Sequence, residues 1–220
     1  MSNSATPSVV RLYESNIPSG NAYKVSLLLS NLTITGVETI SLDILAKPSE
    51  TRSADFLSQN PNGRIPVVEL ADGRYLAESN AILLYLAEGS ALLPEDPVLR
   101  AEVHQWLFFE QYSHERFIAV LKFYTYWGGL SNLSAEHHQH CKVQGQAALD
   151  VMERVLRAQP FFVGAAYSVA DIALYAYSQS ASAIGYRVGP AVQAWLARVQ
   201  QQPGYVPIKP DPLGKAPSAQ

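Results

Sequence analysis

The sequence predicts an α/β domain followed by an all-α domain, and three observations predict it. Short strand-type and helix-type runs alternate over the first 88 residues. A tight Asp72-Gly73 hairpin signal sits inside that stretch. Beyond residue 97 only helical periodicity recurs.

Val9-Val10-Arg11-Leu12-Tyr13 is a short β-type run, and residues 15–20 are a loop of turn formers. Over residues 21–31 the apolar positions Val25, Leu28 and Leu29, with Leu32 beyond, fall at helical spacing. Residues 37–44 read as a second strand with Leu42 and Ile44 on one face, and residues 50–58 as a weak helix. Asn60-Pro61-Asn62-Gly63 is a turn cluster. Residues 65–70 and 74–77 are apolar runs around Ala71-Asp72-Gly73, the pattern of a two-stranded hairpin. Ser79 then stands where it can cap the apolar helix of residues 81–87. The order predicts a small mixed sheet with helices packed on it.

Residues 89–97, with Pro94 and Pro97, read as a linker. Helices are predicted from 98 to about 123, 134 to about 157, 169 to about 183, and 190 to 200. In the second, Val143, Ala147, Val151 and Val155 recur every four residues. Ser168-Val169-Ala170-Asp171 has the form of a capping box, with Tyr167 and Ile172 at the staple positions. The expected division is 1–88, a linker 89–97, a helical domain 98–208, and a loosely held Pro- and Ala-rich tail 209–220.

Composition narrows the partners. Hydrophobic residues at 48% supply a core, and a net charge of −3 with interspersed signs argues against nucleic acid. No apolar run reaches membrane-spanning length, so no membrane is expected as a partner. The polar N-terminus lacks a signal-peptide core, and the single cysteine, Cys141, leaves no intrachain disulfide. Both point to the cytoplasm.

Two dipeptides carry the chemistry. A cis bond at Ile65-Pro66 would turn the preceding backbone N–H and C=O toward a ligand, although most X–Pro bonds are trans. At Glu78-Ser79 a helix N-terminus offers N–H groups and positive dipole to a carboxylate, while Glu78 suits an ammonium. An amino-acid head group satisfies that pair.

Taken in order, the turn, Arg64-Ile65-Pro66, the apolar strand, the Asp-Gly hairpin and Glu78-Ser79 resemble the thioredoxin-like domain of glutathione transferases. The capping box and the preceding Phe161-Phe162-Val163-Gly164 resemble that family's helical domain, so the resemblance spans about residue 9 to 205. It implies an N-terminal thioredoxin-like mixed sheet with helices and a C-terminal helical bundle. Glutathione is implied as co-substrate, with no permanently bound cofactor. By the same resemblance the Ile65 backbone, before Pro66, pairs with the cysteinyl part. Glu78 and Ser79 hold the γ-glutamyl end, and Arg64 reaches the glycyl carboxylate. A homodimer with a detoxification role is implied too.

Thiol activation needs a donor aimed at the sulfur, because a free thiol is mostly protonated at neutral pH. Tyr13, Ser15, Ser19 and Asn21 compete in the loop after the first strand. Tyr23-Lys24-Val25 is similar to the helix start of serine-, cysteine- and nu-type members, which places Ser19 and then Asn21 as the donors. Tyr13 falls where tyrosine-type members carry their phenol, a position that is often only packing. No cysteine lies in this loop, so any redox chemistry uses the glutathione sulfur.

Among the aromatics of residues 106–127, Tyr112, Phe117 and Trp127 are the candidates for an acceptor pocket, although packing or a dimer surface accounts for most of that stretch. His137-His138-Gln139-His140-Cys141 reads as a surface run at a helix start, so no metal is expected. The leading expectation is a glutathione S-transferase acting on a small electrophile. A glutathione-dependent disulfide reductase is the alternative enzyme, and a non-catalytic binding protein the alternative outside catalysis.

Overall fold

The structure is a computed structural model and describes residues 8–210. The polar N-terminal segment and residues 211–220 of the expected tail lie outside the described residues. Two compact units form, each with its own interior. Among the described residues, 8–93 and 203–208 make up the first and 94–202 the bulk of the second.

The first unit is a four-stranded mixed sheet in the order β2-β1-β3-β4. Strand β1 is Val9–Ser15, β2 Glu38–Leu42, β3 Val67–Leu70 and β4 Tyr75–Ala77. β1 pairs parallel with β2 and antiparallel with β3, which pairs antiparallel with β4. Helix α1, Gly20–Asn31, is the crossover between the two parallel strands. The register separates the faces with period two. Leu12 lies opposite Val68, and Val68 opposite Leu76. On the other face Tyr13 lies opposite Ile40 and Val67, and Val67 opposite Ala77. There Phe56 of α2 (Ala54–Gln59) closes a cluster with Tyr13 and Val67. Helices α1 and α3 (Ser79–Ala87) pack on each other.

The hairpin forms at the predicted place. Gly73 takes φ +84°, which a side-chain-free residue adopts without strain, and Leu70 N–H donates to Arg74 C=O at 2.8 Å.

The second unit is helical. α4 is Pro97–Phe109, with Asp96 accepting from the N–H groups of Val98 and Leu99 and Pro97 in the first turn. The chain runs on through a π-helical turn Glu110–Glu115, α5 Arg116–Phe123, and a second π-helical turn Tyr124–Gly128. The predicted uninterrupted helix to about 123 is thus broken in register at 110, where each inserted residue shifts the bonding from i−4 to i−5. α6 is Ala135–Leu156, capped by Ser134, and α8 is Pro190–Gln200. α7, Val169–Ser178, is buried on every side. It ends earlier than predicted, in a turn and a short 3-10 stretch Ser182–Ile184 stopped by Gly185 at φ +83°.

The Ser168–Asp171 capping box forms. Asp171 accepts from the Ser168 N–H and hydroxyl on one oxygen, and from Phe162 N–H and Trp195 Nε1 on the other. One carboxylate thus ties the α7 start to the preceding loop and to α8.

The expected helical domain 98–208 needs one correction. Residues 203–208 return to the first unit, because the Tyr23 hydroxyl donates to Val206 C=O at 2.6 Å and Asn31 Nδ2 to Pro203 C=O at 2.6 Å. Polar side chains on α1 hold this strip of backbone.

Candidate functional site

The site is built where α1 and α3 begin. Ser19 is the N-cap of α1 and accepts from Ala22 N–H at 3.3 Å. That bond uses an oxygen lone pair and leaves the O–H as a donor. Asn21 follows in the first turn. Its Oδ1 accepts from Ser79 Oγ at 3.3 Å, so the donor candidate of one helix touches the serine expected to hold the γ-glutamyl end at the start of the other. Ser79 is buried at the start of α3, and Glu78 before it is exposed.

Glu78 adopts φ 67°, unusual for a residue with a side chain. Such conformations persist where the surroundings hold them, and they cluster at ligand sites. Here Asn62 Nδ2 donates to Glu78 Oε1 at 3.4 Å. The same turn is tied from within: Asn60, buried, donates to Arg64 C=O at 2.7 Å and accepts from Asn62 N–H at 3.1 Å. The Ile65-Pro66 bond is cis, and β3 starts at Val67, so Ile65 precedes the ladder. The Arg64 residue is exposed.

Two loop candidates have other partners. The Ser15 hydroxyl donates to Ile17 C=O at 2.6 Å and serves the loop. The Tyr13 hydroxyl donates to Glu69 at 3.2 Å. Burial, then that bond, pushes the Tyr13 phenol up to about 12. The Arg11 guanidinium, bonded to Glu69 at 2.8 Å, in turn holds the Glu69 carboxyl below its usual range.

Lys24 escaped selection as a site residue from the sequence. It is 0% exposed, and Nζ donates to Asn21 Oδ1 at 2.8 Å, Ser79 Oγ at 3.3 Å and Asn80 Oδ1 at 3.4 Å. A signal was present: Lys24 lies one turn from Leu27 and Leu28 on the buried face of α1, where an ordinary surface lysine does not belong.

Residues 8–88 match the family "Glutathione S-transferase, N-terminal domain", and residues 135–198 match "Glutathione S-transferase, C-terminal domain". The crystal structure of glutathione S-transferase from Pseudomonas fluorescens Pf-5 is 47% identical, with a TM-score of 0.85, over 90% of this chain and 97% of that one. The chain belongs to the glutathione S-transferase family. The chain is also similar to two further proteins. The disulfide-bond oxidoreductase YfcG of Escherichia coli K12 is 29% identical over 84% of this chain and 88% of its own. A glutathione transferase from Pseudomonas putida, solved with one glutathione disulfide bound per subunit, is 25% identical with a TM-score of 0.76, covering 92% of this chain and 90% of that one.

Of the three acceptor candidates carried over for a glutathione transferase, Tyr112 and Phe117 line one groove of about 420 Å³ in the helical unit, with Arg116 and His140. Arg116 lies over both rings, at 5.7 and 5.1 Å from their centroids. Trp127 is not among its lining residues; it contacts Tyr126 on the second π-helical turn. In the histidine run Cys141 is buried while His137 and His140 are exposed. Among the described residues no group of three or more His, Cys, Asp or Glu side chains is placed to hold a metal. No helix among them is long and apolar enough to cross a membrane.

Proposed function

We propose that the chain binds glutathione at the α1 and α3 N-termini and uses its thiolate as nucleophile toward a small electrophile. The observation that carries this is the Asn21–Ser79 hydrogen bond, which joins a thiol-donor candidate to the γ-glutamyl subsite. Ser79 and the α3 N-terminus receive the γ-glutamyl carboxylate and Glu78 its ammonium. The Ile65 backbone pairs with the cysteinyl unit beside Pro66, and Arg64 meets the glycyl carboxylate. Ser19 and Asn21 donate to the sulfur, and the α1 dipole adds to both. The thiolate attacks an electrophilic carbon, the C–S bond forms, and the leaving group departs with the displaced electron pair.

A second reading is favoured by the YfcG relative and by the Pseudomonas putida neighbour that holds glutathione disulfide. In it the bound thiolate attacks a mixed disulfide. An S–S bond forms to the attacked sulfur and the other sulfur leaves as thiolate; a second glutathione thiolate then attacks the glutathione sulfur of the new disulfide, forming glutathione disulfide and releasing the substrate's remaining sulfur as thiolate. The loop without cysteine fits this equally, because the sulfur is supplied by the ligand. Retention on immobilised glutathione tests both readings together, and no retention sinks both. Turnover of an aryl halide against turnover of a small mixed disulfide then decides between them.

The same reading places the chain in the cytoplasm as a homodimer. Phe108 and Tyr112, 73% and 74% exposed and one helical turn apart, are the surface we assign to the second copy. That assignment removes Tyr112 from the acceptor set. Light scattering at several concentrations checks it, and a monomer mass throughout refutes it.

A further inference from the structure

We infer that Lys24 is a positioning residue that fixes the Asn21 amide with its oxygen toward the ammonium, so that the nitrogen edge is the one presented to the ligand sulfur. The inference rests on the reading that Asn21 serves the thiol.

An amide oxygen and nitrogen are interchangeable by a half-turn of the side chain, and only the hydrogen-bond environment chooses between them. At Asn21 the choice is forced. An ammonium can only donate, and Lys24 Nζ stands 2.8 Å from the Asn21 amide, so the group facing it is the oxygen. Ser79 Oγ donates to the same oxygen at 3.3 Å. With Oδ1 turned inward, Nδ2 takes the opposite edge. A half-turn would set the amide N–H groups against the ammonium, donor against donor. A thiolate needs donors, so the orientation imposed by Lys24 is the one that stabilises it.

Lys24 also allows Ser79 to change partners. It donates to Ser79 Oγ at 3.3 Å while Ser79 donates to Asn21. When the Ser79 proton turns to an incoming carboxylate, Asn21 Oδ1 keeps the Lys24 bond and is not left without a partner. The Asn80 oxygen, 3.4 Å from Nζ, is a further acceptor of the ammonium. With the side chain at 0% exposure, water is a poor substitute for Lys24 here.

The test titrates the thiolate absorbance of bound glutathione in the full chain. Lys24→Met and Lys24→Gln are read in parallel, each alone and combined with Asn21→Ala, so that one poorly folded variant leaves the other. Asn21→Ala alone reports the donor reading. It is expected to lower the thiolate fraction at fixed pH roughly tenfold, as loss of one charge-assisted bond does. Either Lys24 variant is expected to give a loss of similar size with Asn21 present, and a change below about twofold once Asn21 is alanine. If Asn21→Ala is silent, the donor reading fails. If Asn21→Ala lowers the thiolate but the Lys24 variants do not, or lower it equally in both backgrounds, the positioning role is overturned and the donor reading stands.

Discussion

Ser79 and Asn21 are bonded side chain to side chain at 3.3 Å across 58 residues of sequence. The residue expected to recognise glutathione and a residue expected to activate it are therefore joined by one hydrogen bond, Ser79 Oγ donating to Asn21 Oδ1.

Ser79→Ala is expected to weaken glutathione binding about tenfold or more, since a hydroxyl bonded to a carboxylate is worth roughly 1.5–3 kcal/mol. Combined with Asn21→Ala it should be non-additive by at least about 0.5 kcal/mol, because the two side chains touch. Isothermal titration of the two single variants and the double variant measures this. Strict additivity would show that the bond does not couple the subsites.

Ser19 has two tasks that substitution can separate. Ser19→Ala removes the α1 cap and the hydroxyl, and should cost about 1 kcal/mol of stability. Ser19→Gly should cost only a few tenths, because glycine is tolerated at an N-cap. Both should reduce the bound thiolate alike. A reduction in the alanine variant only would trace the effect to capping.

Tyr13→Phe should leave the bound thiolate and turnover within about twofold of the parent. Its hydroxyl is bonded to Glu69, and the phenol is pushed up to about 12. A drop of about a hundredfold in turnover, the lower end of what a catalytic acid–base group supplies, would restore Tyr13 as the activating residue.

Asp171→Asn should destabilise the helical unit by about 2–4 kcal/mol, because an amide would present N–H groups to donors that now meet carboxylate oxygens. Burial, the largest influence, pushes this carboxyl up to about 6 against the lowering effect of its four donors. With the native value above the unfolded one, the native state binds the proton more tightly. Its contribution is full below about pH 4 and is lost as pH rises through about 6. Urea midpoints across that window should show the parent losing stability relative to Asp171→Asn as pH rises. A constant gap would refute the shifted value.

Periodicity and turn chemistry by themselves determined the sheet, the hairpin at Asp72-Gly73 and the capping box at Ser168-Asp171, and a resemblance in motif pointed to the family. Each is a local rule acting over a few residues, or an ordered set such as Arg64-Ile65-Pro66 and Glu78-Ser79 around one hairpin. Local rules left Tyr13, Ser15, Ser19 and Asn21 equivalent, because any of them suits a loop. Tertiary structure gives Tyr13 and Ser15 the partners Glu69 and Ile17 and sets Asn21 against Ser79. It also brought in Lys24, which meets Ser79 from 55 residues away, and returned residues 203–208 to the first unit. These outcomes depend on hydrogen bonds between distant segments, and such bonds exist only once the helices are packed.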